Sequence, residues 1–133
     1  MKNLLRLGFL FIVAHSSCVA FSHGENRAGP HNGFVRMPGP FHTEVVQDGN
    51  NGYKVYLLDL QWKAPTTKDS KVNLAVIMKD NSLINTQCDP KSEVFVCSVS
   101  KAELRDAVKL KIEAVREGIK GQVAEYPLPL QLK

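Results

Sequence analysis

The sequence predicts an all-β protein, a single small two-sheet sandwich of about seven strands. Three observations carry this expectation. The chain has 133 residues, a length that suits one domain. Short runs rich in valine, isoleucine and aromatic residues recur roughly every 8–12 residues, the spacing of sandwich strands. Clusters of Gly, Pro, Asn and Asp separate them, and these supply turn chemistry. No internal repeat or low-complexity tract interrupts the pattern.

The elements follow in order. Residues 1–22 read as a secretory signal peptide. Lys2 and Arg6 make a basic start, "LLRLGFLFIVA" is an apolar run too short to span a bilayer, and "HSSCVAFSH" supplies small residues for cleavage. Cleavage fits after Ser22, with Ala20 at the −3 place, or after Ala20, with Cys18 there. The expected location is therefore periplasmic or secreted. Residues 23–33 read as an N-terminal arm without periodicity, and residues 34–133 as the sandwich domain. "GFVRM" is a short first strand, ended by "MPGP", whose prolines cannot donate to a ladder. "FHTEVV" starts a second strand and "QDGNNG" turns the chain. "YKVYLLDLQW" is the longest expected strand, apolar on both faces and so central. "KAPTTKDSK" is a polar loop, "VNLAVIM" a strand and "KDNS" a turn. "LINTQC" and "FVCSV" are two short strands joined by the turn-like "DPKSE".

The tail is ambiguous. Leu104, Val108, Ile112, Val115 and Ile119 fit a helical face, and "SKAE" from Ser100 resembles a capping box. The alternation of Val108, Leu110, Ile112 and Ala114 fits a strand, and the β-branched content of "VKLKIEAV" favours strand. "QVAEYPLPL" then closes a sheet, with its prolines marking an edge.

Charge excludes one class of partner. The chain carries 17 basic and 13 acidic residues. Loss of Lys2 and Arg6 with the signal leaves 15 against 13, a net of +2, too weak a surplus to imply nucleic acid. No second long apolar run exists, so no membrane span is expected in the mature chain. Of three cysteines, Cys18 leaves with the signal. In an oxidising compartment Cys88 and Cys97 most simply form one disulfide.

Three of the four histidines, His23, His31 and His42, fall within 20 residues of one another. Neutral imidazole suits copper, zinc and nickel. Cleavage after Ser22 makes His23 the N-terminus, where its amine and ring Nδ1 chelate one ion as a pair. Cleavage after Ala20 puts it third, where amine, amides and imidazole bind Cu(II) or Ni(II). The α-amine loses its proton readily to a metal, since its pKa is roughly 7.7–8.0. His31 sits in the turn-like "GPHNG". His42 and Glu44 are two apart on a strand and project from one face. Glu44 can ligate directly or hold an imidazole from behind. Met37 adds an optional soft ligand suited to Cu(I). Each also has a plainer reading: an exposed turn histidine, a cross-strand polar pair, a methionine filling core.

"GPHNGFVRMPGPFHTEVV" followed by "YKVYLLDLQWK" resembles small exported bacterial proteins with a Pro-His-Gly-Gly-like turn, a His-x-Glu strand and a Val-Tyr-Leu-Leu-Asp strand. Similar segments occur in periplasmic parts of heavy-metal efflux systems. The resemblance covers roughly residues 23 to 65, and more loosely "EYPLPL". It touches His31, His42, Glu44 and Asp59. Asn32 departs from it, standing where a glycine is common, though asparagine tolerates the left-handed conformation. The pattern is also similar to copper-resistance sandwich proteins whose mature chain begins with histidine. The resemblance implies an Ig-like or copper-resistance-protein-like sandwich.

Three functions are then expected in order. The first is a non-enzymatic periplasmic protein that binds copper (or zinc or nickel) through His23, His31, His42 and Glu44. It would buffer the ion or deliver it to components of an efflux system. The second is a metal-free extracytoplasmic binding or assembly module. The third is a copper oxygenase, disfavoured because the chain is small and lacks an aromatic substrate surface. No nucleophile elbow, phosphate loop or HExxH appears.

Overall fold

The computed structural model describes residues 27–49 and 51–132. It is all-β, with ten strands: β1 (Phe34–Arg36), β2 (His42–Gln47), β3 (Gly52–Leu58), β4 (Lys71–Met78), β5 (Leu83–Gln87), β6 (Asp89–Lys91), β7 (Val94–Ser98), β8 (Ala107–Arg116), β9 (Ile119–Lys120) and β10 (Ala124–Pro127). They form two antiparallel sheets. Sheet A has the order β1-β2-β3-β7-β6, and sheet B the order β10-β8-β4-β5 with β9 on β8. Eight of the ten correspond to the segments expected as strands, and the two additions are β6 and β9, pieces of three and two residues. The segment expected to be a signal peptide and His23 lie outside the described residues.

Alternation builds the core. Val45, Val55, Leu57 and Phe95 from sheet A meet Val72, Leu74, Val76, Leu110 and Ile112 from sheet B, all essentially sealed from solvent. Tyr126 of β10 crosses between the sheets. Its hydroxyl donates to the Thr43 carbonyl at 2.8 Å and pairs with Thr43 Oγ1 at 2.6 Å. A buried tyrosine hydroxyl needs such a partner, and here the partner lies on the opposite sheet.

The ambiguous tail resolves to strand: β8 is the longest element, at ten residues. It pairs along nearly all of β4, and that burial outweighs the helical alternative. The capping box forms nonetheless. Ser100 N–H donates to Glu103 Oε2 at 2.8 Å, and Glu103 N–H to Ser100 Oγ at 3.3 Å. It closes one turn, from which the chain enters β8. After β8, Glu117 and Gly118 both take positive φ, as a two-residue hairpin requires.

Two expectations need correction. The strand foreseen over Tyr53–Trp62 ends at Leu58, because Asp59 folds the chain into a turn. Its Oδ1 accepts from the N–H of Gln61 and Lys63 at 2.9 and 2.8 Å. The strands of "LINTQC" and "FVCSV" are not a hairpin pair. β5 belongs to sheet B and β7 to sheet A, and the chain changes sheets at Cys88. Cys88 N–H still donates to Val72 O of sheet B, while its sulfur bonds to Cys97 on β7. The disulfide thus ties the crossover to sheet A.

Candidate functional site: the arm over sheet A

The β2–β3 hairpin decides what shares the outer face of sheet A. Its register sets Glu44 opposite Tyr56 and His42 opposite Leu58, and β1 adds Val35 opposite Glu44. His42 and Glu44 do project together, as foreseen. Their face is covered rather than solvated: His42 is 5% exposed and Glu44 0%.

The cover is the arm itself. Residues Gly29–Gly33 form a closed turn in which Asn32 N–H donates to Gly29 O, and Gly29 N–H to Gly33 O, both at 2.9 Å. Asn32 takes φ 60°, so the position where glycine was the alternative is left-handed and tolerates asparagine. The turn wraps Glu44. Oε1 accepts from the His31 N–H at 2.8 Å and the Gly33 N–H at 2.9 Å, and Oε2 accepts from His31 Nδ1 at 2.7 Å. Glycine is required because a Cβ at Gly33 would come within 2.7 Å of Glu44 Cγ, and one at Gly29 would meet the carboxylate itself. The His31 ring stacks on Tyr56, with centroids 3.6 Å apart and planes within 2°.

His42 is held from the other side. Its Nδ1 lies 3.0 Å from the Asp59 carbonyl, which also accepts from Trp62 N–H at 3.1 Å. Trp62 meets the His42 ring edge-on at 5.7 Å, and the Arg27 guanidinium lies 4.5 Å over the indole. Trp62 has φ 63°, the left-handed position that Asn32 and Asn81 fill in turns of the same hydrogen-bonding pattern. A bulky side chain there carries strain. The contacts with His42 and Arg27 offset it.

Both acceptors dictate the tautomer. Carboxylate and carbonyl oxygens only accept, so each Nδ1 carries the proton and each neutral ring keeps its lone pair on Nε2. His31 is the more accessible, its side chain 32% exposed. The foreseen ligands therefore divide. His31 and Glu44 are brought together, and His42 sits two residues along the same strand against a different turn. Met37 is half exposed beyond the end of β1. Glu44 has both oxygens engaged by the arm. Among the described residues, no group of three or more His, Cys, Asp and Glu side chains is arranged to hold a metal ion. No described helix is long and apolar enough to cross a membrane. Sequence reasoning missed Arg27 and the placement of Tyr56 and Trp62. The hairpin register, once set, would have found Tyr56.

No protein-family model matches the chain, and neither a curated protein nor a solved structure is similar to it.

Proposed function

We propose that the mature protein binds copper outside the cytoplasm, without catalysis, and buffers the ion or hands it to an efflux system. The observation that carries this reading is the His31–Glu44 hydrogen bond of 2.7 Å. Metal-ligating histidines characteristically donate their second nitrogen to a carboxylate, which fixes the ring and raises its basicity. His31 has that support and presents Nε2 on a partly exposed ring. His23 precedes it by eight positions on the same arm. The proposed donor set is the His23 amine and imidazole with His31 Nε2. Glu44 orients, His42 is a further nitrogen beside Trp62, and Met37 an outlying soft donor. Zinc or nickel are the competing ions for the same nitrogens.

Mass spectrometry of the secreted protein with and without Cu(II) tests both halves of the proposal. The expected result is a chain beginning at His23 or Phe21 that takes up one copper. Acetylating its α-amine should abolish the uptake without disturbing the fold. Absence of saturable uptake by the correctly processed chain overturns the reading.

One observation favours a second reading, a metal-free binding or assembly module: Glu44, His31 and His42 are all already engaged within the protein. On that reading copper, zinc and nickel leave the melting temperature unchanged. On the first, copper raises it in proportion to saturation.

A further inference from the structure

Among the described residues each sheet order ends in two strands, and three of these four end strands are blunted. β1 is three residues long, β6 contains Pro90 between Asp89 and Lys91, and β10 ends in Pro127. Short length, proline and charge are the usual devices that keep a sheet edge from pairing with another chain. β5, at the edge of sheet B, has none of them. Its sequence Leu-Ile-Asn-Thr-Gln contains no charge and no proline over five residues.

The β4–β5 register shows what this edge offers. At one end Met78 N–H donates to Ser82 O at 3.0 Å, and at the other Cys88 N–H donates to Val72 O at 3.0 Å. Alternation along an antiparallel ladder then directs the main-chain bonds of Ile84 and Thr86 to β4. Those of Leu83, Asn85 and Gln87 point away from it. These three residues are symmetric about Asn85. Leu83 is an exposed apolar side chain, 57% accessible.

We infer that β5 pairs antiparallel with β5 of a second copy of this chain, across a twofold axis at Asn85. In that register Asn85 faces its own counterpart and Leu83 faces Gln87 of the other copy. All three outward residues then pair, giving about six inter-chain hydrogen bonds. A twofold interface must be self-complementary. A strand without charge meets that condition because no like charges are brought opposite one another. The two B sheets become one continuous eight-stranded sheet, and Leu83 and Ile84 lose water contact.

Sedimentation of the processed protein over a range of concentrations provides the test. The wild type should move from monomer to dimer as concentration rises. Asn85→Lys places two lysines opposite each other at the axis and should leave a monomer, with unchanged circular dichroism because Asn85 is solvent-facing. Asn85→Asp should do the same. Mixing the two variants should restore a dimer, since the axis then pairs opposite charges. A wild type monomeric at every concentration overturns the second copy as occupant and leaves the edge to a strand of another protein. A dimer that survives Asn85→Lys, or a mixture that fails to associate, overturns the register.

Discussion

Glu44 accepts two hydrogen bonds from the same residue, one from the His31 main chain at 2.8 Å and one from its ring at 2.7 Å. Both oxygens of a fully buried side chain are thereby satisfied by the arm that covers it, and the arm is fixed by those oxygens. Glu44→Ala should cost about 3 kcal/mol, because it removes the acceptor of three N–H groups and opens a cavity. Glu44→Gln should cost about 2 kcal/mol, since an amide NH2 must then face a donor. Urea unfolding measures both. A Glu44→Gln midpoint equal to wild type would show that the contacts contribute nothing.

The arm depends on close approach. Gly33→Ala should displace it at a cost of about 2 kcal/mol and shift the His31 and Tyr56 ring resonances, because the new Cβ would lie 2.6 Å from Val45 O. Gly39→Ala is the control. A Cβ there would meet Gly121 Cα at 3.7 Å, ordinary contact, so its resonances and stability should match wild type.

Trp62 is the sole tryptophan and lies against His42. Its emission reports on that histidine. If His42 joins the proposed copper site, one equivalent of Cu(II) should quench Trp62 strongly and His42→Ala should remove the quenching. Saturable copper uptake without quenching would drop His42 from the ligand set.

The disulfide closes a short loop, with the two cysteines nine positions apart. Replacing both by serine should lower stability by about 2–3 kcal/mol. Because the crossover rather than a hairpin is released, hydrogen exchange should rise first in β5 and β6. A rise confined to β7 would contradict the assigned crossover.

Hydrogen bonds from Ser100 hold the Glu103 carboxyl below the usual carboxylate range. A depressed folded value means the unfolded chain binds the proton first. The stabilisation is therefore present above about pH 4.3 and is lost as pH falls through the lower folded value. Glu103→Gln should be less stable than wild type at neutral pH and should converge with it in acid. A difference that persists at pH 2 would assign the effect to packing.

The fold was legible where periodicity was strong. The alternation of β3 and β4, the hairpin "QDGNNG" and the proline-marked edge of β10 all follow from local chemistry. The pairing of β5 with β4, and the separation of β5 from β7, were not legible. Two short strands beside each other in sequence look like a hairpin whether or not they share a sheet, and only burial of both faces decides. At the site, the shared face of His42 and Glu44 followed from strand periodicity. That the face would be closed by the arm did not, because "GPHNG" carries no apolar signal. It docks by hydrogen bonds from main-chain groups that every sequence possesses. Trp62 was misread as strand because a left-handed tryptophan runs against its intrinsic preference.

The two sheets are interleaved along the chain: sheet A takes β1 to β3 and β6 to β7, while sheet B takes β4, β5 and β8 to β10. The strand beside β4 in the middle of sheet B is β8, and Tyr126 on β10 is the residue that reaches back to Thr43. A chain emerging N-terminus first therefore has no closed core until its last quarter is available. A nascent chain that stops before β8 should therefore be protease-sensitive, and limited proteolysis of stalled chains checks this. Truncation from the C-terminal end should leave no folded fragment, and the two sheets should not be separable by any single cut.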